Sequence, residues 1–339
     1  MVIGFHASIT YPLRTVWGHQ VAELGNLGVQ LFFLVSAVTM CYMWQQRHDE
    51  PARALKFYVR RFFRIAPLFW CAIVFYTYLW HVTPDYRGLR DISPLDIGLT
   101  AAFLHPFAVS AINSVVPGGW SIGIEMGFYA LFPSLARFHA TKMLAVGFAM
   151  YLVLGVAGTA LAERFGNGDQ YATFLYYSFL TQLPIFPVGM FVYSLALRQY
   201  EVDLRPALFI VVIWVVIAFV GKVAFHLTTR PFFWCEVFLL AAAVDASIRW
   251  NLRFGPFGFL GRLSYSMYLF HFAVLYFLEK LFGNNWPYWV GLPVALAVTA
   301  ILALLSRETA EKWSQDAGRA LIRTIWGEKR RPLAPQKSP

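Results

Sequence analysis

Apolar residues along this chain come in long runs rather than in alternation or on one helical stripe. The runs fall at residues 27–44, 62–80, 120–138, 143–162, 173–197, 206–220, 232–246, 260–281 and 286–305. Short polar loops separate them. A helix rises 1.5 Å per residue and needs about 20 apolar residues to cross the hydrocarbon of a bilayer. The pattern therefore predicts an all-α, polytopic transmembrane helix bundle. Pro184 and Pro187 interrupt the 173–197 run, where a kink is expected. Residues 95–112 are only moderately apolar and contain His105-Pro106. That stretch reads as a re-entrant or interfacial segment, or as a span.

Residues 1–13 are too short to cross. They read as the outer half of a helix expected to begin roughly 15–20 residues upstream. With this partial first span the bundle has about ten spans, by the same length requirement.

Composition agrees with a membrane protein. The chain has 339 residues, 58% hydrophobic and 14% charged, against about 25% charged in soluble domains. Spans and short loops use up the chain, so it reads as one domain over 1–313 with a basic tail over 314–339. The net charge of +10 has no nucleic-acid motif around it. Its placement speaks to topology instead. If 95–112 does not cross, 21 Lys/Arg lie on one side (46–64, 137–142, 198–205, 249–262 and the tail) and 7 on the other. The positive-inside rule puts the first set, and the C-terminus, in the cytoplasm. Cys41, Cys71 and Cys235 sit in apolar runs without metal or disulfide spacing and read as packing residues. No metal site and no tightly bound cofactor are expected.

Five places carry candidate chemistry. Glu125, in Gly119-Trp120-Ser121-Ile122-Gly123-Ile124-Glu125, stands about one turn inside a span. A charge there costs roughly 2.5–3.5 kcal/mol on insertion scales, so the glutamate is either functional or a hydrogen-bonded helix tie. Arg60, Arg61 and Arg64, in Arg60-Arg61-Phe62-Phe63-Arg64-Ile65-Ala66-Pro67, either clamp phosphates with guanidinium forks or anchor the span. His6, in an apolar setting, is a candidate general base or a satisfied core histidine. Ser264, Tyr268 and His271 share one helical face, which lines a substrate path or ties helices together. Residues 25–37 open a span with small residues that permit close helix contact.

These blocks together resemble the acyltransferase 3 family of membrane O-acyltransferases. His6 matches the histidine that ends the family's first span. Gly28-Val29-Gln30-Leu31-Phe32-Phe33-Leu34-Val35-Ser36-Ala37 is similar to its GVDLFFVLSG, with Ser-Ala in place of Ser-Gly. Arg60 to Pro67 resembles RRxxRIxP, Trp120-Ser121 with Glu125 resembles WSLxxE, and Ser264 to His271 resembles SYSxYLxH. The family's arginine about three helical turns before the histidine would precede Met1, and the late Glu311-Lys312 lacks the proline that often follows.

The resemblance implies transfer of an acyl group, usually acetyl from acetyl-CoA, to a hydroxyl of a carbohydrate. It implies that His6 is catalytic, that Glu125 is a supporting acid, and that Arg60, Arg61 and Arg64 hold coenzyme A. Trp120, Ser121, Ser264, Tyr268 and His271 remain candidates for the substrate path. The expected partners are an acyl-CoA, a carbohydrate or lipid-linked glycan acceptor, and the lipid bilayer. The expected place is the bacterial cytoplasmic membrane. The competing reading is a transporter or flippase for lipid-linked glycans. Such proteins show paired broken helices in related halves, and only one Pro-broken span is present here.

Overall fold

The computed structural model describes residues 1–13, 15–83, 92–137, 174, 176–197, 233–252 and 256–327. Among these residues every regular element is helical. In chain order they are α1 (Val2–Thr10), α2 (Val16–Glu23), α3 (Gly28–Gln45), α4 (Arg53–Val82), α5 (Pro94–Ala101), α6 (Trp120–Leu135), α7 (Phe179–Gln182), α8 (Ile185–Leu197), α9 (Phe233–Arg249), α10 (Pro256–Phe282), α11 (Tyr288–Ser306) and α12 (Lys312–Trp326). The spans predicted at 143–162 and 206–220 lie outside the described residues.

Several of these helices are built for lipid. Trp17–Gln45, Arg53–Val82 and Tyr288–Trp326 are each long and apolar enough to cross a membrane. On α4 the inward residues Ile65, Phe69, Ile73 and Tyr76 are buried, yet Trp70, Val74, Phe75 and Tyr78 on the outer side are apolar too. A helix that is hydrophobic all round belongs in a membrane rather than at a water-facing surface.

The 95–112 stretch forms no continuous helix. It comprises α5, a 3-10 turn at His105–Phe107, and turns leading to α6. Ser93 and Asp96 close a capping box at the start of α5, with Pro94 in the first turn. The kink expected near Pro184 is a full break: α7 stops at Gln182 and α8 restarts at Ile185. Proline has no N–H and its ring crowds the preceding turn, which favours a break at Pro184, whereas α8 runs on without interruption through Pro187, against the expectation.

The main core joins α3, α4, α6, α8 and α9 around Phe33, Leu34, Phe69, Phe128, Phe132 and Phe186. Close approach of α3 and α8 depends on Gly189, where a Cβ would lie 2.6 Å from the Leu34 carbonyl and 2.8 Å from Ala37 Cβ. The bare backbone that a glycine at position 37 would offer is thus supplied from the facing helix. A second core seats α1 between α10 and α11 through Ala7, Tyr11, Val274, Leu275, Leu278 and Ala295. A π-helical turn, Arg307–Glu311, leads from α11 into α12, which packs on α4.

Candidate active site

Seating α1 against α10 brings two histidines together. The rings of His6 and His271 lie 5.3 Å apart by centroid, and both pack on Phe272, at 4.5 Å and 4.0 Å. His271 is fully buried. Its Nδ1–H donates to the Tyr268 carbonyl at 2.7 Å, one turn back on α10. That bond fixes the tautomer and leaves Nε2 as a lone-pair nitrogen, buried and without a hydrogen-bond partner among the described residues. An imidazole held this way accepts a proton or a hydrogen bond from whatever enters beside it.

The start of α6 is tied to the same cluster. Tyr268 OH donates to the Gly118 carbonyl at 2.9 Å, and Ser121 Oγ donates to the Tyr268 oxygen at 3.0 Å. Gly118 has φ +75°, a left-handed conformation that favours glycine, and its N–H donates to Asn113 Oδ1 at 2.8 Å. His105 Nε2–H donates to the Gly119 carbonyl at 2.9 Å from a buried position. Burial holds its pKa down at about 4, so it is neutral near pH 7. His105 and Asn113 hold the turn that presents Trp120 and Ser121, and sequence reasoning missed both. The only signal was the histidine beside Pro106 in an otherwise apolar stretch. Trp120 is buried, with Tyr177 at 4.5 Å and Phe33 at 6.2 Å.

Glu125 lies one turn further along α6, about 6 Å from Ser121 along the axis. Its Oε1 accepts from Ser36 Oγ at 2.9 Å and from the Tyr129 hydroxyl. Its Oε2 is buried and has no hydrogen-bond partner among the described residues. Ser36 belongs to the small-residue block on α3, so that block supplies a ligand to the carboxylate as well as a packing face.

Beyond Tyr129 the chemistry turns cationic. The ends of α3 and α4 and one face of α12 enclose a cavity of about 230 Å³. Six arginines line it: Arg47, Arg53, Arg60, Arg61, Arg64 and Arg319. Arg60 is paired with Glu50, and Arg53 lies 3.6 Å over the Trp44 ring. Arg61 is 8% exposed and forms no ion pair among the described residues. Its guanidinium lies 5.3 Å from the Tyr129 ring and 5.6 Å from Phe57, with Met43 Sδ at 3.1 Å. Arg61, Tyr129 and Glu125 therefore form one continuous line from the cavity into the bundle.

The predicted site residues thus gather into two neighbouring groups and one outlier. His6, His271, Tyr268, Ser121 and Trp120 form an upper cluster. Glu125 leads from it toward Arg60, Arg61 and Arg64. Ser264 is exposed and outside both groups. It shares the helical face of Tyr268 and His271, but that face is uncovered at its turn, while its neighbours Leu263, Tyr265 and Ser266 are buried on other sides of α10. The buried serine there is Ser266, bonded to Glu311 from the π-helical turn.

The orphan oxygen of Glu125 makes a test possible. Glu125→Gln keeps the size and the Ser36 contact, and is expected to insert and fold normally while turnover falls about tenfold, the worth of one charge-assisted hydrogen bond at ~1.5 kcal/mol. Steady-state rates on protein quantified in membranes check this. Unchanged turnover would leave Glu125 as a helix tie only.

Known proteins are similar to this chain over most of its length. The sequence model of the acyltransferase domain matches residues 1–308. The chain is 25% identical over 319 residues to the candidate membrane-bound transacylase BcsY of Komagataeibacter xylinus, across 86% of this chain and 77% of that one. It is 23% identical over 331 residues to the O-acetyltransferase OatA of Staphylococcus aureus, across 88% of this chain and 53% of that one. This chain thus spans about half the length of OatA. It is 28% identical over 268 residues to the exopolysaccharide production protein ExoZ of Rhizobium meliloti, across 76% of this chain and 78% of that one. No solved structure matches it.

Proposed function

We propose, for a chain that belongs to the acyltransferase domain family and is a membrane O-acyltransferase, that it moves an acetyl group from acetyl-CoA to a carbohydrate hydroxyl. The observation that carries this reading is the line from the six-arginine cavity through Arg61, Tyr129 and Glu125 to the two-histidine cluster. A polyanionic donor suits the cavity, and a proton acceptor suits the far end. Relatives named for exopolysaccharide production and for O-acetyl transfer favour a polysaccharide acceptor and an acetyl group.

In this reading the coenzyme A phosphates rest on the arginines and the thioester extends inward. His6 takes the proton of the acceptor hydroxyl. The oxygen attacks the thioester carbonyl carbon, the C–S bond breaks, and the thiolate leaves and recovers the proton. His271 sets the position of His6, and its Nε2 accepts a hydrogen bond at the acceptor. Glu125 steadies the approach through Tyr129. Membranes containing the protein, supplied with radiolabelled acetyl-CoA and carbohydrate, should transfer label to the carbohydrate. No transfer from correctly inserted protein would reject the donor or the acceptor class.

The same reading puts the arginine cavity in the cytoplasm, where acyl-CoA is made. The bias of 21 basic residues against 7 supports that orientation. A reporter inserted within residues 46–53 is expected to read as cytoplasmic. A reporter on the opposite side would place the cavity away from the acyl-CoA pool.

A further inference from the structure

We propose that α12, which lies beyond the matched acyltransferase domain, is a wall of the donor cavity, and that Arg319 on it recognises the 3′-phosphate of the coenzyme A nucleotide. The sequence assigned this segment to a basic tail. The structure docks it on α4.

Ser314 is buried and its hydroxyl donates to the Phe63 carbonyl. Gly318 lies so close to Phe63 that a Cβ would fall 2.8 Å from Phe63 Cβ and 2.9 Å from Cγ. Ile322, one further turn along the same face, is 3% exposed. The stripe 314, 318, 322 is thus a packed helix seam. Gln315 and Arg319, one position on from Ser314 and Gly318, face the cavity with Arg60, Arg61 and Arg64.

The arginines are graded by depth. Arg61 is 8% exposed, the Arg60 side chain 25% and the Arg319 side chain 57%. Coenzyme A carries its groups in a fixed order: thioester, pantetheine, pyrophosphate, then the ribose with its 3′-phosphate. A thioester drawn inward past Arg61 toward Tyr129 and Glu125 leaves the pyrophosphate near the deep arginines and the 3′-phosphate at the mouth. Arg319 stands at that mouth. Asp316 Oδ1 accepts from its Nε at 3.2 Å and its Nη2 at 2.6 Å. This holds the fork still and leaves Nη1 without a protein partner among the described residues.

This inference rests on the donor reading above, and dephospho-coenzyme A separates the two. It differs from coenzyme A only by the 3′-phosphate. Full-length protein in detergent is assayed with acetyl-CoA and with acetyl-dephospho-CoA. The wild type is expected to prefer acetyl-CoA by about tenfold in KM, the worth of one charge-assisted contact at an open rim. Arg319→Gln should bring the two KM values together with kcat unchanged. Gly318→Ala, which pushes α12 off Phe63, should do the same without touching a charge. Arg61→Gln should raise both KM values in parallel.

A preference that survives in Arg319→Gln, with Arg61→Gln still raising both, would overturn the role of Arg319 alone. Equal use of the two donors by the wild type would overturn 3′-phosphate recognition. Failure of the wild type to bind or use either donor would overturn the donor reading and this inference with it.

Discussion

Replacing His6 with alanine is expected to lower acyl transfer about 10²–10⁴-fold, the usual contribution of a general base, with KM for the donor nearly unchanged. The argument starts from position. His6 lies on α1, against α10 and on the far side of Glu125 from the arginine cavity, so its loss leaves the phosphate contacts intact. It packs against Phe272 and His271 and forms no ion pair among the described residues, so its removal takes away a ring contact and little else. Its neighbour gives the control. His271 Nδ1 is committed to a backbone carbonyl while Nε2 is unpartnered among the described residues. If His271 positions His6, His271→Ala also loses activity, and the double variant loses little more than His6→Ala. If the losses multiply, the two rings act independently. Label transfer by membranes, with equal protein levels and unchanged reporter topology, is the measurement. Full activity of His6→Ala would move the base to His271.

Much of this site was legible because each motif had a chemical reason to stand where it did. Glu125 was recognisable from its cost inside an apolar run, and the three arginines from their spacing at a span boundary. The sequence pattern also placed the break near Pro184, since backbone sterics act locally. What pattern could not reach was the third dimension. Nothing in the run 1–13 says that His6 faces His271. That pairing follows from α1 lying between α10 and α11. The fate of the tail was equally hidden. Arg319 reads as one more positive-inside charge until Gly318 is seen against Phe63. Ser264 shows the converse. Helical spacing put it with Tyr268 and His271, but period alone cannot say which turns of that face a neighbouring helix covers. His105 and Asn113 were missed because they act on backbone groups of a turn, Gly119 and Gly118, that has no sequence signature beyond its glycines.

The cavity carries the second large effect. Arg61→Gln is expected to raise KM for acyl-CoA about 10- to 150-fold, the range for a lost hydrogen bond to a charged group at 1.5–3 kcal/mol. Arg60→Gln should do less, because Glu50 already engages that guanidinium. Arg61 differs by being buried without an ion pair among the described residues, while five further arginines share its cavity. Removing a charge from water without a counter-charge costs several kcal/mol, and like charges add repulsion. A folded protein keeps such an arrangement where an anion completes it.

The two readings of the cluster then part cleanly. A membrane anchor predicts that Arg61→Gln weakens insertion and leaves donor kinetics alone. A phosphate clamp predicts normal or improved thermal stability without ligand, a raised KM, and a smaller stabilisation by coenzyme A. The deciding measurement is a pair of melting curves for each protein, with and without coenzyme A, beside the kinetics. If coenzyme A stabilises wild type and Arg61→Gln equally, and KM stays put, Arg61 does not hold the donor.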